Sequence, residues 1–322
     1  MLREEKQKIV KIRTIPSDLE KILKEDLTQA GLKNKKIFIK PNISHPEFIP
    51  GVVTDPTLLS KIVGLLRDYN SEVLVGESNG YNYSCQSAFE KTGIKDAVLK
   101  SGGSIINLSQ DKVIKINFRN NFSSPKKLFL PKSVLEADEI VDLALMKTHE
   151  FTTYSGAIKN LFGCIPNNRR IFLHPFLNEV FLKLYFILNP KLTIIDARVG
   201  LEGNGPTKGD PVKMDLILTS NSALAVDIIA SEIMGLTLDQ VSYLQYITVR
   251  RGVKRGQIIT QGIDPKKITK KFRLPKIDLP VKAQMRIYQH EFLTKILFSS
   301  IDVVKIFQKV TMTYRGKPIE VN

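Results

Sequence analysis

Cysteine is nearly absent: the 322-residue chain holds two, Cys85 and Cys164, and no CxxC pair. Two thiols cannot build a four-cysteine zinc site, nor carry an iron–sulfur cluster on four thiolates within one chain. A disulfide framework is not expected either, and the usage fits a reducing, cytoplasmic compartment. Histidine is also scarce, with four residues. There is no Walker loop, no GxGxxG and no HExxH, and no Ser-His-Asp order that spacing supports. The N-terminus, Met1-Leu-Arg-Glu-Glu-Lys6, begins charged and does not develop into a signal peptide. The most apolar run, 171–188, is broken by His174, Pro175, Asn178, Glu179 and Lys183. It reads as a partly buried helix and not as a membrane span.

Acidic charge is in deficit, with 32 Asp+Glu against 48 Lys+Arg, a net +16. The excess is concentrated: residues 250–322 hold 17 basic and 5 acidic side chains, leaving a net +4 for the rest. Such a segment attracts nucleic acid, an anionic membrane surface or an acidic partner; the plainer alternative is a solvated surface. Nucleic-acid binding through Arg250 to Arg273 is the weakest of these, because Phe272 is the one aromatic there and base stacking has little to use.

The hydrophobic share, 43%, suffices for a substantial core. Helices are predicted over residues 16–30, 54–69, 84–100 with a break at Gly93, 176–188 and 222–234. Strands are predicted over 35–40, 72–76, 139–146, 191–197 and 213–219, with short strands and a hairpin in 103–130 whose polar tip is 119–126. Alternating strands and helices predict an α/β fold, a mainly parallel sheet with helices on both faces. The expected division is a core domain, 1–240, and a basic C-terminal extension, 241–322, packed on it. Within the extension, 282–310 reads as a basic amphipathic helix or helix pair.

Ligands of such sheets bind at the carboxyl ends of the strands. Lys147 and His149 follow the 139–146 strand directly. Ser155-Gly156 marks a turn or helix start where backbone N–H groups face an anion, with Lys159 and Asn160 within the next helical turn. His174 follows fifteen residues after Lys159. A lysine beside a histidine in a desolvated pocket can serve as base, Schiff-base nucleophile or covalent cofactor anchor. The plainer alternative has His149 capping a loop, Lys159 snorkelling and His174 starting a helix.

Lys40 and Asn42 end a second strand, and Asp55 opens a helix. Lys40 suits a phosphate or carboxylate, and Asn42 offers a donor and an acceptor; Asp55 is either a ligand contact or only a cap. Glu77 ends a third strand. Asp196 ends a fourth, before a glycine-rich loop containing Gly203, Gly205 and Gly209, where backbone can approach a ligand closely. Metal-ligand candidates are His149, His174, Glu77 and Asp196. Asp227 lies inside an apolar helix and needs a partner; a Lys or Arg there would make it structural. His45 reads as a loop residue, and His290 as a surface residue.

Several pieces together resemble the "domain of unknown function 362" family. They are IKPN at 39–42, TDP at 54–56, VGE at 75–77, LPKSVLEADEIVDLALMKTH at 130–149 and SGAIKNLFG at 155–163. His174, IIDARVGLEGNGPTKGDP at 194–211 and AVDIIASEIMG at 225–235 complete the set. Members often carry appended ferredoxin-like cysteine motifs, which this chain lacks. A fainter resemblance is to the lactate racemase family, which binds a nickel pincer nucleotide. Its layout implies Lys159 as the cofactor anchor, His174 as a metal contact and Asp55 near a phosphate. Ala157 stands where that family has glycine, and Glu77 lies where it has a catalytic histidine.

The leading expectation is an enzyme acting on a small anionic substrate. Lys147, His149, Lys159 and His174 would be its catalytic centre, with proton or hydride movement beside a carboxylate if the racemase resemblance holds. Lys40, Asn42, Asp55, Ser155, Gly156, Asn160, Gly203 and Gly205 would hold the substrate or a nucleotide-derived or metal cofactor. The alternative is a nucleotide-binding or electron-transfer accessory protein with a redox partner.

Overall fold

The apolar runs KIFIK, EVLVGE and EIVDLALMKTH become neighbouring parallel strands at the centre of one sheet. The computed structural model describes residues 7–15, 19–80, 82–118 and 124–299, with Val303, Ile306 and Lys309. In chain order the strands of these residues are β1 (Lys8–Thr14), β2 (Lys36–Lys40), β3 (Glu72–Glu77), β4 (Ser104–Asn107), β5 (Val113–Asn117) and β6 (Lys127–Pro131). They continue with β7 (Glu139–His149), β8 (Thr153–Ser155), β9 (Leu192–Asn204), β10 (Lys208–Ser220) and β11 (Ile258–Gly262). The main sheet runs β11-β1-β10-β9-β7-β2-β3-β4, with β8 added to β7; β5 and β6 form a separate hairpin. Pairing is parallel from β9 through β7, β2 and β3 to β4, and again between β1 and β11.

Two-residue alternation sends successive side chains to opposite faces. On β7, Val141 and Leu143 enter one apolar cluster, while Ala144 and Met146 enter the other. Helices Leu19–Gln29 and Pro56–Asp68 cover the first face through Leu23, Leu27, Ile62 and Leu66. Helices Leu177–Leu188 and Ala223–Ile233 cover the second through Phe181, Leu182, Val226 and Ile229. This is the expected α/β architecture with both faces of the sheet covered.

Gly93, at φ 75°, breaks 84–100 into Cys85–Lys91 and Ile94–Lys100, because the left-handed region suits glycine. One expectation is corrected. The glycine-rich stretch after Asp196 is no open loop: β9 and β10 form a long antiparallel hairpin, and Asp196 lies inside β9, paired with Ile217. Strand β1, antiparallel to β10, was not foreseen at all. From the 241–322 stretch, helix Ser242–Arg251 contributes buried Tyr243, Leu244 and Ile247, and β11 pairs with β1. The basic segment beyond it forms helices Leu279–Gln289 and Glu291–Ser299. The first residues of the helix expected over 16–30 (16–18, Pro-Ser-Asp, which the sequence reads as its start signal), most of the polar tip (119–123) and most of the stretch after 299 lie outside the described residues.

The 171–188 run is long and apolar enough to cross a membrane by length and composition alone. It is divided between a 3-10 turn, Ile171–Phe176, containing Pro175, and helix Leu177–Leu188, whose Val180, Phe181 and Leu184 are wholly buried.

Candidate functional site

Strands β3, β2 and β7 are adjacent and parallel, so their last residues, Glu77, Lys40 and His149, lie on the same side of the sheet. Beyond them opens a cavity of about 650 Å³. Its lining includes Lys40, Asn42, His45, Glu77, His149, Ser155, Lys159, Asn160, Arg170 and His174. A second cavity, of about 710 Å³, shares Phe151, His174 and Tyr288 with it. Sequence analysis thus picks out eight residues that do share one hollow: Lys40, Asn42, Glu77, His149, Ser155, Lys159, Asn160 and His174.

Lys159 comes from the short helix Ala157–Asn160 and is half-buried. Among the described residues its ammonium has neither hydrogen bond nor ion pair. Burial pulls its pKa down to about 8, helped by the positive charges of Arg170 and Lys40. The backbone N–H groups that start this helix do bind an anion, but an internal one. Ala157 and Ile158 donate to the two carboxylate oxygens of Asp227 at 2.7 and 2.9 Å, and the Tyr154 hydroxyl donates at 2.9 Å. The partners of Asp227 are therefore amides and a phenol, not a Lys or Arg. Gly156 has no room for a side chain against Tyr154 and Asp227, and it does not line the cavity. Its expected part in holding a ligand is corrected to a packing role.

Lys147 is corrected likewise. Its ammonium is enclosed and donates to Asn42 Oδ1 at 2.7 Å, Ser44 Oγ at 3.0 Å and the Val52 carbonyl at 2.6 Å. Three acceptors satisfy its three N–H groups. Burial holds its pKa well below the ordinary lysine value, with Lys159 and Lys40 adding to the effect. Lys147 thus positions Asn42, whose amide donates to Asn160 Oδ1 at 2.9 Å; Asn160 in turn donates to Asp142 Oδ1 at 2.7 Å. Burial drives the Asp142 carboxyl far up.

Lys40 and Glu77 form a buried ion pair across β2 and β3. Gly163 lies against it: a methyl group there would come within 2.5 Å of Glu77 Oε1 and 2.8 Å of Lys40 Nζ. Asp55 and Asp196 are spent on one guanidinium. Arg198 donates to Asp196 at 2.8 and 2.7 Å and to Asp55 at 2.9 Å, and Asp55 also caps helix Pro56–Asp68 through Thr57 N–H at 2.7 Å. Neither lines the cavity, so the ligand role of Asp55 and the metal role of Asp196 are corrected. Among the described residues, no three His, Cys, Asp or Glu side chains gather to hold a metal ion. Gly203 and Gly205 serve the hairpin: Gly203 takes φ 76°, and Gly205 packs against the Thr148 carbonyl without space for a side chain. The residues just after them, Pro206, Thr207 and Lys208, do reach the cavity.

The two histidines are held in complementary tautomers, as their partners dictate. His149 Nδ1 accepts the Phe151 N–H at 3.0 Å, so its proton sits on Nε2. His174 Nδ1 faces the carbonyls of Arg170 and Ile171 at 3.2 and 3.1 Å; carbonyls only accept, so Nδ1 carries the proton and Nε2 the lone pair. Burial pulls the His174 pKa down to about 4, so the ring is neutral at pH 7. Tyr288 stacks on it with ring centroids 4.4 Å apart.

Sequence reasoning missed Arg170, His45 and Tyr288. Arg170 precedes His174 by four residues, a helical spacing that places both on one side. Its guanidinium donates to the Asn79 carbonyl. His45 does lie in a loop, but it is buried, accepts the Glu47 N–H at 3.1 Å and lines the cavity. Tyr288 arrives from the distant C-terminal helix, and no local signal marks it.

A curated relative, the thylakoid-associated protein sll1697 of Synechocystis sp., is 24% identical over 210 residues, 62% of this chain. The match spans 63% of that relative's length. A solved structure, the lactate racemase apoprotein from Thermoanaerobacterium thermosaccharolyticum, is similar with a TM-score of 0.45 and 17% identity. That likeness covers 71% of this chain and 57% of the racemase chain. The family model described as "Domain of unknown function (DUF362)" matches residues 37–232, more than half of the sequence, and the chain belongs to that family.

Proposed function

We propose that the protein is an enzyme that binds a small anion, a carboxylate or phosphate ester, in the cavity at the ends of β3, β2 and β7 and moves a proton on it. One observation carries this reading: the half-buried Lys159 ammonium lines the cavity with no hydrogen-bond or ion-pair partner among the described residues. The charges acting most on it are two further cations, Arg170 and Lys40. A desolvated cation among cations is costly, and a bound anion removes that cost. Glu47 and Glu150 also line the cavity, but Glu47 is exposed.

The chemistry follows from the imidazoles. His174 presents a lone pair at Nε2, and His149 carries a proton at Nε2. A carbon acid beside an anchored carboxylate can lose its proton to the first and regain one from the second. Lys159 and Arg170 hold the carboxylate and stabilise the negative charge that develops on it. Gln284 and Tyr288 complete the lining.

The test is solvent exchange. A panel of small 2-hydroxy, 2-keto and 2-amino acids is incubated with the protein in D2O, and deuterium at the α-carbon is read by mass spectrometry. The expected result is incorporation into a subset of the panel, lost in Lys159→Gln and His149→Gln. No incorporation into any member, or incorporation that persists in Lys159→Gln, overturns the reading.

A further inference from the structure

The C-terminal helices turn large apolar side chains outward. Helices Leu279–Gln289 and Glu291–Ser299 are seated through buried Val281, Tyr288, Thr294 and Phe298. The opposite side of the second helix shows Phe292 at 72% exposure, Ile296 at 53% and Leu293 at 40%. Positions 292 and 296 are four residues apart in this helix, so they share one face. Leu279, at the start of the first helix, is 79% exposed.

Charge says what covers this surface. Lys282, Arg286 and Lys295 are exposed on these helices; among the described residues of the two helices the one acid is Glu291, which pairs with Lys295 at 2.6 Å. The whole 250–322 segment carries a net +12. A second copy of the same face would bring like charges together. A nucleic-acid backbone has no use for an apolar stripe. An apolar stripe flanked by lysine and arginine matches the boundary of a lipid layer with anionic headgroups.

We infer that helices Leu279–Gln289 and Glu291–Ser299 dock the protein on an anionic lipid bilayer. Phe292, Leu293 and Ile296 enter the headgroup–acyl boundary, while Lys282, Arg286 and Lys295 meet the lipid phosphates. The first of these helices supplies Gln284 and Tyr288 to the cavity lining, which ties the docked segment to the site.

Vesicle flotation of the full chain tests this, with phosphatidylcholine vesicles and with phosphatidylcholine vesicles containing phosphatidylglycerol. The protein is expected to float with the anionic vesicles alone, and less so as salt is raised. Phe292→Asp should weaken partitioning about tenfold, as loss of a buried aromatic ring implies. Lys282→Glu/Arg286→Glu should do so to a similar degree, since each basic group near such a surface adds to binding. These side chains are exposed, so unfolding curves of the variants should match the parent. Absence of flotation, equal flotation on neutral vesicles, or unchanged flotation of both folded variants overturns the inference. So does a dimer that Phe292→Asp dissolves without any vesicle binding, or retention by single-stranded RNA that anionic vesicles do not compete away.

Discussion

The carboxylate of Asp227 accepts the backbone N–H of Ala157 at 2.7 Å, and through it fixes the first turn of the helix that presents Lys159. Asp227 sits on the long helix Ala223–Ile233, packed in the core, so the cavity lysine is anchored to the rigid body of the fold. Burial pushes Asp227 up to about 7 despite three donors.

Replacing Asp227 by Asn keeps the shape but removes one acceptor. The carboxylate serves Ala157 and Ile158 with separate oxygens, and an amide would turn its NH2 toward one of those N–H groups. Asp227→Asn at pH 8 is expected to cost about 2–3 kcal/mol in chemical denaturation, the penalty of stranding a buried donor. It should also weaken anion binding, because the helix carrying Lys159 loosens.

The Lys40–Glu77 pair makes a double-mutant prediction. Lys40→Met leaves a buried carboxylate without its cation and is expected to cost about 3–5 kcal/mol. Lys40→Met/Glu77→Leu should recover much of that loss, since neither charge is then stranded. Denaturant midpoints of the two single variants, the double variant and the parent measure the coupling; simple additivity would remove the pair from the account.

Lys159 gives anion affinity a pH dependence. Its pKa is near 8, and the protonated form binds. Affinity for inorganic phosphate, beyond the titration of phosphate itself, should hold up to about pH 8 and then fall by about tenfold per unit. The Lys159→Gln variant should lack that limb.

His174 affects stability in the acid range. Its folded value, about 4, lies below the ordinary 6.5. Between those values the unfolded chain binds a proton and the folded chain does not, so stability falls as the pH drops from about 6.5 to 4. The loss is of order 3 kcal/mol at most. Unfolding free energies measured between pH 4 and 8 should show the parent losing about that much relative to His174→Asn as the pH falls from 6.5 to 4; curves that run parallel would contradict it.

The central sheet was legible because 35–40, 72–76 and 139–146 are apolar runs with Lys40, Glu77 and His149 at or just past their ends, and side chains at that boundary face a crevice by topology; β7 itself runs on to His149. The β9–β10 hairpin was not. Its glycines, from Gly200 to Gly209, mimic a loop in sequence, and only the pairing of Asp210 with Glu202 and of Val212 with Gly200 reveals a strand. Lys147 and Lys159 look alike in sequence. What separates them is the chain segment 42–52, which folds back to give Lys147 three acceptors, while Lys159 has none among the described residues. Partnerships of that kind are non-local, as are Asp227 with Ala157 and Tyr288 with His174. Arg170 was within reach of a sequence reading through its spacing from His174.

The most direct measurement is calorimetric titration of inorganic phosphate into the full chain at pH 7, parent against Lys159→Gln. The structure predicts a saturable single-site heat for the parent and at least a tenfold weaker affinity for the variant, a loss in the range of a charge-assisted hydrogen bond. Equal affinities in two folded proteins, or no saturable heat in the parent, would contradict it.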